Sequence, residues 1–249
     1  KFPMREIAKF LEGKLMPVIY RNEKVIAVSE STKIDVLKLG IFKPENVCIV
    51  NPGIDLEPLK TKVKKTEHPS LLYLGRLKEY KNIDIAIKSF AKVLKDSPNA
   101  IFNIGGEGDC EPDLKKLVSE LGIEQSVNFL GRVTDEDRNK LYASSWLAIQ
   151  PSSHEGWGIT VIEANFYGCP VVASDIAGLR DSVVDGKTGI LVNPKSIVGF
   201  SKAILKVFKR PILRHKMSEQ GIGRAKKFNW SENTNIFLEA LNNYYLKTV

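Results

Sequence analysis

Apolar residues along this chain recur with two periods, and the switching between them lays out the elements. Short unbroken apolar runs read as strands buried on both faces, and segments with apolar positions three or four apart read as helices with one buried face. A strand is expected over 24–28, a helix over 30–39 and a second strand over 47–50. Asn51-Pro52-Gly53 is turn chemistry, and the basic stretch 60–67 has no apolar period, so a linker is placed there. The alternation then resumes, with strands expected over 70–74, 100–104, 127–130, 147–150, 171–173 and 190–192. Helices over about 82–95, 114–121, 137–143 and 158–168 separate them, the first with Ile83, Ala86, Ile87, Phe90 and Val93 on one face. Residues 197–249 read as mostly helical, with Pro211 as an interruption.

This order predicts an α/β fold: a doubly wound, Rossmann-like parallel sheet carrying helices on both faces. Ligands in such folds lie beyond the carboxyl ends of the strands. The conspicuous glycines and charges fall there, at Gly75-Arg76, Gly105-Gly106, Gly131-Arg132 and Glu155-Gly156.

The most informative strand end is residues 151–164, PSSHEGWGITVIEA, which sets Glu155 and Glu163 eight positions apart. With a helix starting near Gly158, the Gly156-Trp157-Gly158 turn lets backbone N–H groups gather at its positive end, a seat for phosphate. One carboxylate precedes the helix and the other lies about one and a half turns into it, so the two can address different parts of an elongated ligand. Carboxylates that merely cap the helix are the competing reading. Arg76 and Lys81 follow the strand over 70–74 and could together neutralise a diphosphate, or be two solvated cations. His154, next to Glu155, is placed to touch a sugar hydroxyl or to bond its own backbone.

Gly105-Gly106-Glu107-Gly108 lacks a third glycine opening a helix, which counts against a dinucleotide-dependent dehydrogenase. Asp135-Glu136-Asp137 has the look of an acidic metal triplet, but Thr134 before it makes a first-turn cap, so no metal is expected. No nucleophilic triad follows from the spacing.

Composition narrows the classes further. Hydrophobic residues make up 43% and charged residues 27%, as in ordinary globular proteins. The formal charge of +8 comes from 37 basic residues interspersed with 29 acidic ones, without an RNA-binding signature, so no nucleic-acid partner is expected. Cys48, Cys110 and Cys169 read as reduced thiols of a cytoplasmic protein. No apolar run approaches about 18 residues, and no signal peptide is visible. The basic, partly amphipathic stretch 202–227 leaves peripheral association with a membrane surface open. A chain starting at Lys1 reads as a piece of a longer polypeptide.

Taken together, several motifs resemble the retaining GT-B glycosyltransferases of family 4, the glycosyl transferases group 1. They are the two glutamates, the G-R-L-x4-K of residues 75–81, the Gly-Gly-x-Gly loop, Gly131-Arg132-Val133, the Gly168-x-Pro170-Val171-Val172-Ala173 run, and Asp185-Gly186-x-x-Gly189. The resemblance runs the whole chain and implies a nucleotide-diphosphate sugar, UDP- or GDP-linked, as donor substrate, with no further cofactor. By the same resemblance Arg76 and Lys81 would grip the diphosphate beside Gly75 and Gly106, with the amides of Gly158, Ile159 and Thr160. Glu163 would bind the ribose, Glu155 the donor sugar, and backbone near Arg132 and Val133 the base. Gly156 and Trp157 complete the loop, and Trp157 stands where phenylalanine is commonly found. The acceptor, a glycan, lipid-linked or small molecule, would be held by an amino-terminal domain that is missing here apart from its last part. The implied division is 1–50 as that remnant, 51–66 as linker, 67–210 as donor domain, and 211–249 as helices packing toward the amino-terminal domain. The alternative from another class is a nucleotide-sugar binding module, inactive without a separate acceptor domain.

Overall fold

The computed structural model describes residue 7 and residues 10–245. The chain divides into two compact units, residues 1–53 with 230–249, and residues 54–229. In the smaller unit β1 (Val25–Ala27) and β2 (Val47–Ile49) pair in parallel, with Val25 opposite Val47. The helix Glu30–Lys38 joins them, and the Ser29 side chain accepts the Thr32 N–H at its start. Trp230–Tyr245 is a helix of this unit.

The larger unit is built on six parallel strands: β3 (Ser70–Leu74), β4 (Ile101–Gly105), β5 (Val127–Gly131), β6 (Leu147–Gln150), β7 (Val171–Ser174) and β8 (Gly189–Val192). Their spatial order is β5-β4-β3-β6-β7-β8. The chain winds outward from β3 in one direction, then returns to β3's other side and winds the opposite way. Strand alternation feeds two cores. Leu71 and Tyr73 of β3 join Phe102, Ile104, Leu147 and Ile149 under the helices Ile83–Leu94 and Ile197–Phe208. Leu72 and Leu74 face the other way, toward Ala148, Val171, Ala173, Val161 and Leu179.

The expected strands are all present. Three helical expectations are corrected. Glu111–Glu120 begins three residues early, because Pro112 suits a first helical turn and needs no apolar period there. Ala177–Ser182 was not anticipated. Pro211 opens the helix Pro211–Ala225 instead of interrupting one. Residues 50–69 hold no strand or helix, yet they are pinned: the Lys65 ammonium, its pKa lowered by burial, donates to the carbonyls of Ser145 and Gly168.

Candidate functional site

Between β3 and β6 the winding reverses, and a parallel sheet opens a crevice at such a point. The loops after these two strands are tied across it. Ser153 donates its N–H to the Tyr80 carbonyl at 2.8 Å, and Asn82 donates its side-chain amide to the Pro151 carbonyl at 3.0 Å. The loop after β3 is in turn tied to the one after β4, since Leu77 donates to the Glu107 carbonyl. Gly106 donates to Gly131, which carries the tie on to β5. Gly106 has φ 131°, and a Cβ there would run into the Gly75 carbonyl, so no other residue lets these two loops touch.

Within this frame lies a cavity of about 390 Å³, lined by Gly75, Arg76, Gly106, Glu107, Arg132, Val133, Asp135, Arg138, Tyr142, Thr160 and Glu163 among others. Thus seven of the residues expected from the sequence, Gly75, Arg76, Gly106, Arg132, Val133, Thr160 and Glu163, share one space. Arg76 is exposed and donates to the Tyr80 hydroxyl at 2.7 Å. Thr160 lies in the first turn of the helix Ile159–Phe166, whose opening amides have no intrahelical acceptor. Gly158 caps that helix at φ 78°, with Leu179 and Ser182 too close for a side chain. Ile159 and His154 are exposed.

Glu155 and Lys81 do not line this cavity; they form an ion pair of 2.6 Å, both side chains largely buried. Lys81 comes from the β3 loop and Glu155 from the β6 loop, so the pair spans the reversal point. Gly156, next to Glu155, is exposed. Trp157 turns the other way, its side chain 3% exposed and packed edge-on against Phe228 with ring centroids 4.9 Å apart.

Four contributors have no counterpart in the sequence reading. Arg138 stands 3.4 Å from Glu163 and 2.9 Å from Asp135. Gln150 donates to Glu155. Gly178 backs the Glu155 carbonyl so closely that a Cβ would collide with it. Arg224 donates to the carbonyls of Asp181 and Ser182, fixing the helix that carries Gly178. The acidic triplet is a cap: the Thr134 hydroxyl accepts the Asp137 N–H at 3.2 Å.

Burial pushes the Glu163 carboxyl above the usual carboxylate range; Arg138 counteracts this in part, and Asp135 adds to the rise. Between the unfolded and the raised folded pKa the native state holds the extra proton, so stability falls as pH rises through that interval. Glu163→Gln is therefore expected to be more stable than the parent near pH 7, with the gap closing as pH falls through the raised folded pKa and fully closed below about 4. Urea midpoints at the two pH values check this; a gap independent of pH would contradict it.

A Rossmann-like parallel sheet whose reversal point carries a buried cation and carboxylate pair beside the first turn of a helix defines an α/β protein of the doubly wound class. Residues 57–224 match the family model of glycosyl transferases group 1, and the chain belongs to that family. The D-inositol 3-phosphate glycosyltransferase of Frankia alni is 28% identical over 232 residues, covering 86% of this chain and 57% of the relative. The poly(glycerol-phosphate) alpha-glucosyltransferase of Bacillus subtilis is 31% identical over 221 residues, covering 86% of this chain and 32% of the relative. The chain thus spans about half the length, or less, of the curated relatives it matches. Among solved structures, Anabaena HepE in complex with UDP and glucose superposes with a TM-score of 0.80 at 20% identity, over 93% of this chain and 66% of that one. The fold is that of GT-B glycosyltransferases.

Proposed function

We propose that this chain is the donor-binding part of a retaining glycosyltransferase of family 4, moving a sugar from a nucleotide-diphosphate sugar to an acceptor. The observation that carries this reading is the shared cavity, with Arg76 and Glu163 on its walls and the first turn of Ile159–Phe166 at its edge. Its volume suits a nucleotide. Glu163 accepts ribose hydroxyls, Arg76 and the helix amides take the diphosphate, and the walls at Arg132 and Val133 meet the base. Glu155 addresses the sugar. Lys81 spends one of its three N–H donors on Glu155 and has two left for a phosphate oxygen. These cations neutralise charge on the departing phosphate, so no metal is needed in this scheme. The bound UDP of the Anabaena relative is consistent with a nucleoside diphosphate here. Residues 1–50 are assigned to the end of an acceptor-holding domain. Among the described residues no helix is long and apolar enough to cross a membrane, and the basic face near 202–227 is the segment that would meet a membrane surface.

Titration calorimetry with UDP, UDP-glucose, GDP and GDP-mannose tests the reading. One base is expected to bind, and Arg76→Ala is expected to weaken it about tenfold to a hundredfold, the value of one or two charge-assisted hydrogen bonds. Absence of binding by all four ligands would overturn it.

A further inference from the structure

Strand β6 reads Leu147, Ala148, Ile149, Gln150, and all four residues are buried. A buried amide at the end of an apolar strand is costly unless it is hydrogen-bonded, so a residue of that kind needs a partner that justifies it. The partner is Glu155: Gln150 Nε2 lies 2.7 Å from Glu155 Oε1. Lys81 Nζ lies 2.6 Å from the same oxygen. An ionised carboxylate only accepts, which settles the amide orientation with the nitrogen toward Glu155.

Two donors, one charged on the loop after β3 and one neutral at the end of β6, therefore converge on Oε1 from the two sides of the reversal point. They fix the carboxylate in position and in rotation about its last bond. Lys81 alone could not do the second, since an ammonium is a point charge on a flexible stem that follows either oxygen. A planar amide, held by a strand, has one direction to offer. Gln150 also borders a void of only about 10 Å³, shared with Thr160 and Tyr142, at the lower limit for one water.

We propose that Gln150 is a positioning residue for sugar recognition: by holding Oε1 together with Lys81, it leaves Glu155 Oε2 as the acceptor presented to the donor sugar. The inference rests on the assignment of Glu155 to the sugar. It separates two halves of the ligand, because Gln150 touches Glu155 and does not line the cavity assigned to the nucleotide. Loss of the amide frees the carboxylate to rotate, so that neither oxygen is held for the sugar hydroxyls.

The test is the isosteric change Gln150→Met, with Gln150→Leu as a second variant should the first be poorly folded. Affinities for UDP and UDP-glucose, or GDP and GDP-mannose if that base is the one bound, are measured on the full chain. The ratio of donor affinity to nucleoside diphosphate affinity is expected to fall about tenfold, with nucleoside diphosphate affinity within about twofold of the parent. A parallel loss for both ligands assigns Gln150 a general structural role and overturns the proposal, as does an unchanged ratio. Failure of the parent to bind either nucleoside diphosphate overturns the underlying site assignment, and this proposal with it; the two failures are thus told apart.

Discussion

Replacing Lys81 with methionine is expected to lower stability by about 3 kcal/mol and to reduce sugar transfer by the whole enzyme at least about a hundredfold. The stability loss arises because Glu155, with its side chain 14% exposed, is left as a buried carboxylate whose charged partner is gone. Gln150 still donates to it, but a neutral amide does not compensate a charge. The loss of activity has a separate origin, in the two remaining N–H donors that the proposed mechanism gives to phosphate. A double variant, Lys81→Met with Glu155→Gln, separates them: stability is expected to return to near the parent value and activity is not. Denaturant midpoints and turnover measured on the same preparations decide the matter. A single variant as stable as the parent would show that the pair contributes nothing to the fold.

Phe102→Ala is expected to destabilise the larger unit by about 3–5 kcal/mol. Phe102 is fully buried on β4, and its ring meets Phe90 of the helix Ile83–Leu94 with centroids 5.3 Å apart. The deletion therefore opens a void at the center of one helix layer, where sheet and helix leave no room for collapse. Domains of this kind are stable by only about 5–15 kcal/mol, so the loss is a large share of the whole. Chemical denaturation followed by circular dichroism measures it. Ligand affinity in the fraction still folded is expected to be retained, because Phe102 is the second residue of β4 and does not line the cavity at the carboxyl ends of the strands; a loss below about 1 kcal/mol would mean that the core rearranges to fill the space.

How much of this was legible in the residues follows from which signals are local. The strands β3, β6 and β7 announce themselves because both of their faces are buried, so each carries an unbroken run of at least three apolar residues. Ala177–Ser182 escaped because it is short and contains Gly178, a poor helix former, and its role depends on what packs against it. The site divides in the same way. Arg76 and the glycines stand at strand ends and helix starts, and Glu163 about one turn into the helix that follows β6; sequence position alone puts them there. Arg138 lies in a run of acids, amides and bases that looks like a solvated helix face, and only the fold turns it toward Glu163. Gln150 reads as the unremarkable last residue of a strand until the loop five residues on folds back over it. Trp157 shows the converse: it stands in a glycine-rich loop whose Gly156 is exposed, while tertiary packing takes its side chain into the core.

That inward turn has a practical use. Trp157 is two residues from Glu155, and its indole is sealed from water against Phe228 and Ala225. Its light emission should lie toward the blue while the loop is seated and move toward the red when the loop lifts. Trp230, 55% exposed, would already emit as a solvated indole and so provides a reference signal within the same chain. The residue that the chemistry does not use is the one from which the loop's seating can be watched.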